Sequence, residues 1–64
     1  MDFHHLVDRV RAEFLEMPGL QLTHAQASRL LGIEPEACRR VIEALVNAAV
    51  LRQTAMGTIV RGDG

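Results

Sequence analysis

The stretch LTHAQASRLLGIEPEACRR, residues 22–40, contains two helix starts separated by a glycine. Thr23 followed by Gln26 matches the capping box, in which each side chain satisfies a free backbone donor at a helix start. Gly32 suits the left-handed conformation that ends a helix. Pro35 is favoured in the first turn of the next helix. The stretch therefore predicts two helices joined by a short turn and held in contact.

These two helices are predicted over residues 24–31 and 35–48, and apolar spacing predicts their buried faces. Ile33 lies between them and is expected to fill the gap. The side chains expected to point inward are Ala27, Leu30 and Leu31 on the first helix and Cys38, Val41, Ile42, Leu45 and Val46 on the second.

An amphipathic helix is predicted before this stretch, over residues 2–17, with Asp2 as its N-cap. Pro18 and Gly19 should end it. Leu15 falls off its apolar stripe and could reach a neighbouring element or a second subunit. The stripe itself consists of Phe3, Leu6, Val7, Val10, Phe14 and Met17.

Three short strands complete the expected elements. Residues 20–22 alternate apolar, polar, apolar, which suits a very short strand. Residues 50–54 and 58–61 are strand-like, and Gly57 can take the positive φ of a short hairpin loop. The predicted fold class is mostly α with a small β-hairpin (α+β), in the order helix, strand, helix, helix, strand, strand.

The whole chain of 64 residues predicts one small domain, residues 1–61, with a disordered tail at 62–64. A chain this short buries only about 60% of the surface that its unfolded form exposes. Oligomerisation would add burial, so we expect a homodimer, with the helix at 2–17 as its interface.

The charge balance is weak support for a nucleic-acid partner. The formal net charge is -1, whereas duplex-binding domains are commonly basic. All seven basic residues are Arg, the better donor for bidentate phosphate or guanine contacts. Between Thr23 and Arg61 five Arg face three Glu, a local balance of about +2.

Several other classes of function find little support. The single cysteine, Cys38, excludes an internal disulfide and fits a reducing compartment, and we expect a cytoplasmic protein with no membrane partner. His4 and His5 are adjacent and point about 100° apart on a helix, so they do not form a metal site. There is no glycine-rich phosphate loop and no nucleophile beside a base. We therefore expect no metal, no cofactor and no enzyme.

From about Phe3 to Arg61 the chain resembles the winged helix-turn-helix domains of small bacterial regulators. The residues that carry the resemblance are the cap Thr23, the small residues Ala27 and Ser28, the turn Leu31-Gly32-Ile33, the buried Cys38, Val41 and Leu45, and the hairpin 51–61 as the wing. Ser28 departs from the pattern, since the family usually has Ala there. A fold of this kind does not by itself fix function.

The resemblance implies a DNA-binding regulator in which helix 35–48 enters the major groove of double-stranded DNA. Its outward residues would be Glu34, Glu36, Arg39, Arg40, Glu43 and Asn47. Arginines meet guanine or phosphate, and glutamates accept from cytosine. The residues proposed to bind DNA are Arg29, Glu36, Arg39, Arg40, Glu43, Arg52 and Arg61.

The same residues allow a second interpretation. Arg40 lies one helical turn from both Glu36 and Glu43, and Arg39 lies one turn from Glu43, so these can be ordinary surface pairs. The hairpin tip, 55–58, is apolar rather than basic. The alternative is a winged-helix module that binds another protein and not DNA.

Overall fold

A computed structural model describes residues 2–62 of the protein. It is mostly helical with a small antiparallel sheet, as the α+β fold class predicted. The elements are α1 (Phe3–Glu16), α2 (His24–Leu31), α3 (Pro35–Asn47), β1 (Leu51–Gln53) and β2 (Ile59–Arg61).

Each helix begins with the capping interaction that its sequence favours. The Asp2 side chain accepts a hydrogen bond from the backbone N–H of His4 at 3.3 Å. Thr23 and Gln26 form both halves of the capping box, with N···O distances of 3.1 and 2.9 Å. Glu34 caps α3 through a 3.3 Å bond from the N–H of Glu36. The predicted helix starts are therefore confirmed.

The turn between α2 and α3 is held by backbone and side chain together. Gly32 adopts a left-handed φ of 65°. The N–H of Ile33 donates to the carbonyl of Ser28 at 3.1 Å, and the Ser28 hydroxyl donates back to the Ile33 carbonyl at 2.6 Å. Ile33 is only 6% exposed and fills the gap between the helices as expected. The serine thus has a structural role that alanine could not supply.

The strand predicted at 20–22 is wrong except at its last residue. Leu22 forms an isolated antiparallel bridge with Ile59, with N–H···O distances of 3.1 and 2.6 Å. The N–H of Leu20 instead donates to the carbonyl of Met17 at 2.9 Å. The chain is therefore held in a turn at Leu20 and caps α2 at Thr23. Between these two positions only Leu22 pairs with the hairpin.

The hairpin forms where it was expected, although its strands are shorter. Its register pairs Leu51 with Arg61, Arg52 with Val60 and Gln53 with Ile59. The loop contains Gly57 at φ 83°, the positive value for which glycine was expected.

The hairpin ladder extends into the predicted tail. The N–H of Gly62 donates to the carbonyl of Val50 at 2.9 Å. A Cβ at Gly62 would lie 2.7 Å from the backbone oxygen of Ala49. The expectation of a disordered tail is therefore wrong for Gly62, and the rest of that tail, residues 63–64, lies outside the described residues.

One core joins the three helices to the hairpin. Its buried members are Val10, Phe14, Leu22, Ala27, Leu31, Ile33, Cys38, Val41, Ile42, Leu45, Leu51 and Ile59. The inward placement of Leu30 is wrong, because that side chain is 59% exposed. Ala27 and Leu31, four residues apart, occupy the inner side of the short helix α2. Phe3 and Met17, at the two ends of the α1 stripe, are each 42% exposed.

Helix α3 ends in an unusual conformation before the hairpin. Ala49 has a left-handed φ of 63°, which glycine adopts far more easily. The N–H of Val50 donates to the carbonyl of Leu45 at 2.9 Å, which closes the end of the helix. This turn fixes the hairpin relative to α3.

Within residues 2–62, no helix is both long enough and apolar enough to cross a membrane.

Candidate binding surfaces

The predicted DNA-contacting residues of α3 share one exposed side of the helix. Cys38, Val41, Ile42 and Leu45 bury the opposite side in the core. The exposed side chains, which we call the outer face of α3, are Glu36, Arg39, Arg40, Glu43 and Asn47. The core therefore positions α3 firmly and leaves this face open to a partner.

One ion pair forms on the outer face. Nη2 of Arg39 lies 3.4 Å from both carboxylate oxygens of Glu36. The two side chains remain 60% and 54% exposed, so water screens the pair and it stabilises the helix by only about 0.2–1 kcal/mol. This pair differs from those predicted, which joined Arg40 to Glu36 or Glu43 and Arg39 to Glu43; none of those forms within residues 2–62.

Arg40 is exposed and has no ion pair within the described part of the chain. Counted with the cap Glu34, the outward side of α3 carries three Glu and two Arg. Its charges therefore nearly cancel. Arg40 is the cation on this face that is available to an anionic partner without breaking a pair.

A groove of about 300 Å³ runs beside the outer face, between α3, the start of α2 and β1. Arg39 and Glu43 line it. Two further polar residues, His24 and Gln53, were not predicted as site residues, and the Nδ1 atom of His24 is buried there without a hydrogen-bond partner. These residues come from three separate elements, so no local pattern in the sequence could have grouped them.

A second groove, of about 410 Å³, lies between residues 18–21 and the hairpin, and we call it the hairpin groove. Arg52 and Arg61 both line it, and no acidic residue within residues 2–62 does. Arg52 is exposed, whereas Arg61 is half-buried and makes a contact of its own. The structure thus brings these two predicted residues together, away from the outer face of α3.

Arg29, the remaining predicted residue, is exposed in the last turn of α2 and lines neither groove. The seven predicted residues therefore fall into three places: the outer face of α3, the hairpin groove and α2.

Cys38 lies in the core, as predicted. Burial raises the pKa of its thiol above the ordinary value, so the thiol is protonated and unreactive at neutral pH. Among residues 2–62 no group of three or more His, Cys, Asp or Glu side chains could hold a metal ion.

In comparisons with known proteins, no family model, no curated protein and no solved structure matches the chain.

Proposed function

We propose that the protein is a winged-helix DNA-binding protein, a transcriptional regulator of the cytoplasm. In this proposal the outer face of α3 enters the major groove and the hairpin 51–61 is the wing beside it. The observation that carries the proposal is Arg40, which is exposed and has no ion pair within residues 2–62. It lies beside Arg39 on a helix whose other side is fixed in the core.

The dimensions and chemistry of α3 support this use. An α-helix with its side chains is about 10–12 Å across, which matches the width of the major groove of B-DNA, about 12 Å. Arginine can donate two hydrogen bonds to the O6 and N7 atoms of guanine. Arg39 would have to leave Glu36, at a small cost because the pair is exposed.

Arg29 is proposed as a phosphate contact. The resemblance also implies phosphate contacts for Arg52 and Arg61. They would form only if the side of the hairpin that carries the hairpin groove faces the duplex.

A homodimer would double the contacts of so small a domain, and two modules on adjacent half-sites would offset the charge of each. Support for α1 as the interface comes from Phe3, Leu15 and Met17, which are 42%, 38% and 42% exposed. Sedimentation of the wild type and of Leu15→Glu tests this: the variant should be monomeric at concentrations where the wild type is dimeric.

Salt dependence tests DNA binding itself. Anisotropy of a labelled random-sequence duplex should rise with protein at ~50 mM salt, and the affinity should fall steeply by ~200 mM as counterions return to the phosphates. Arg40→Ala should weaken binding by about 1–3 kcal/mol. The matched control is Arg9→Ala, an exposed arginine on α1 that lies about 120° around the helix from Leu15, and this variant should bind like the wild type. Salt-independent binding, or equal loss in both variants, would contradict the proposal.

Exposed apolar side chains favour a second candidate, a module that binds another protein. Met56 at the hairpin tip is 89% exposed and Leu30 on α2 is 59% exposed. Neither contributes to a DNA contact by charge or hydrogen bonding. An interface built on such side chains would respond little to salt, which distinguishes it from DNA binding.

A further inference from the structure

We propose that the outer edge of β1, the side that faces away from β2, binds an extended segment of a partner protein. The segment adds a third strand to the hairpin and carries an acidic residue opposite Arg52. The inference does not depend on DNA binding, and it assigns Arg52 to a carboxylate instead of phosphate.

The backbone of β1 has an unpaired edge. The N–H of Thr54 donates to the carbonyl of Thr58 at 2.8 Å, so Thr54 faces the other strand of the hairpin. Because hydrogen bonding alternates along an antiparallel pair, the backbone groups of Leu51 and Gln53 point away from β2. Their N–H and C=O groups make no hydrogen bond within residues 2–62. An extended peptide can pair with such groups as an added strand.

A groove beside this edge has room for side chains of the added strand. Gln53 belongs to the edge and also lines the groove of about 300 Å³ next to α3. Val46, which is half-buried, lines the same groove and gives it an apolar wall. Directly opposite residues of two strands have their side chains on the same face, so the residue opposite Gln53 lies on the groove side. A β-branched apolar residue such as valine suits this position.

Charge selects the central residue of the added strand. Arg52, the middle residue of β1, has its side chain on the face opposite to that of its two neighbours. It is exposed and has no ion pair within residues 2–62. An aspartate opposite it forms a cross-strand pair of opposite charges. On the groove side Arg39 and Glu43 balance each other, so an acid is favoured only opposite Arg52.

A second copy of the chain fits this edge less well. In the symmetric antiparallel register, Leu51 of each copy would pair with Gln53 of the other. The two Arg52 side chains would then lie directly opposite each other, and like charges in that position destabilise a sheet. A segment of a different protein, with one acidic residue between two apolar residues, avoids this repulsion.

The test titrates the ¹⁵N-labelled protein, without DNA, with peptides that have blocked ends. The probe is GTVDVTG, in which both valine N–H groups would face β1. At ~50 mM salt it should bind with a Kd of the order of 0.5 mM, as a few backbone hydrogen bonds allow. The amide protons of Leu51 and Gln53 should shift downfield because they gain hydrogen bonds, whereas those of Arg52 and Thr54, already paired within the hairpin, should shift less. Equal shifts at all four, or no binding up to ~5 mM peptide, would overturn the proposal.

N-methylation of the peptide separates strand pairing from binding by side chains alone. A methyl group on the nitrogen of either valine removes a donor that faces β1, and it should weaken binding at least fivefold. The same methyl group on the aspartate nitrogen, which faces away from β1, is the matched control and should change the affinity by less than about twofold. Equal losses from all three methylated peptides would overturn the added strand.

Exchange of charge locates the site. Arg52→Glu should weaken probe binding about threefold or more, and it should prefer GTVKVTG, in which lysine replaces the aspartate. Arg9→Glu, an exposed change on α1, is the matched control and should stay within about twofold of the wild type with either peptide. Circular dichroism melting should show both variants folded. Failure of Arg52→Glu to reverse the preference would overturn the pairing with a carboxylate.

Two further measurements exclude self-association and DNA binding as explanations. In the free protein, amide hydrogen exchange at Leu51 and Gln53 should be faster than at Arg52 and independent of protein concentration. Exchange that slows as the protein concentration rises would assign the edge to a second copy and overturn the proposal. Arg40→Ala on α3 should leave the affinity for the probe unchanged, whatever it does to DNA binding. A loss equal to that of Arg52→Glu would overturn the site.

Discussion

The outer face of α3 and the hairpin groove use their arginines in opposite ways. On α3, Arg39 is held by Glu36, and the glutamates nearly cancel the arginines. In the hairpin groove, Arg52 and Arg61 line a partly apolar cleft to which no acidic residue of the described part of the chain contributes. A net charge of -1 therefore conceals two surfaces of different character. The position of a charge relative to its neighbours, more than the total, decides which partner a surface fits.

Truncating a core side chain of β2, next to the residues that line the hairpin groove, should have the largest effect. Ile59 is fully buried and pairs with Leu22. Ile59→Ala should lower the free energy of unfolding by about 2–5 kcal/mol, because it leaves a cavity. Its neighbour Val60, which is half-buried and lines the groove, is the control. Urea denaturation should show less than half that loss for Val60→Ala; equal losses would contradict the description of the core.

Filling the base of the hairpin should have the next largest effect. At Gly62 an added Cβ would lie 2.7 Å from the backbone oxygen of Ala49, so the ladder to Val50 must shift. Gly62→Ala should lower the free energy of unfolding by about 1–3 kcal/mol. Gly19→Ala, where a Cβ would meet nothing within 4 Å, is the control and should change it by less than about 0.5 kcal/mol. A stable Gly62→Ala protein would show that the base of the hairpin is loosely packed.

Removing the backbone strain at Ala49, between α3 and the hairpin, should stabilise the protein. Ala49 has a left-handed φ of 63° in the connection between the end of α3 and the start of β1. Ala49→Gly should raise the free energy of unfolding by about 0.5–1 kcal/mol, since glycine adopts this conformation without the Cβ clash. Ala48→Gly is the control: its φ is -84°, so added chain entropy should make that variant no more stable than the wild type. Thermal melting in which Ala49→Gly is the less stable variant would contradict the assigned turn.

The smallest effect is expected from the ion pair on α3. A double-mutant cycle with Glu36→Gln and Arg39→Gln should give a coupling of about 0.2–1 kcal/mol in unfolding, because both side chains are more than half exposed. Breaking this ion pair should also change the affinity for DNA in a predictable direction. Glu36→Gln frees Arg39 and removes a negative charge, so it should tighten binding of a random-sequence duplex, by less at ~200 mM salt than at ~50 mM. Weaker binding in Glu36→Gln would indicate that the glutamate contacts a base.

Much of the fold could be predicted because local chemistry determines it. Asp2, Thr23 with Gln26, and Gly32 each act through neighbours within a few residues, and each adopts the expected role. Leu30 was misplaced because helical spacing alone could not decide between it and Leu31 on a helix of eight residues. That choice is made by packing against α3, a separate element that the spacing within α2 does not describe.

The binding surfaces were harder to predict, because they assemble from distant elements. The outward residues of α3 follow directly from helical periodicity, and all are exposed. The hairpin groove instead depends on Leu20 turning back to Met17 and on the bridge of Leu22 to Ile59. The alternating pattern at 20–22 predicts neither the turn nor the bridge. The sequence therefore identified Arg52 and Arg61 as candidate binding residues, but it could not show that they line one groove.

The most direct test of the proposed function is an NMR titration of the ¹⁵N-labelled protein with a random-sequence duplex at ~50 mM salt. The account predicts that backbone amide shifts change along α3 from residue 36 to residue 47, that Arg40→Ala reduces these changes, and that residues 18–21 change little. Changes confined to residues 18–21 and 54–61, or no change at all, would contradict DNA binding through the outer face of α3.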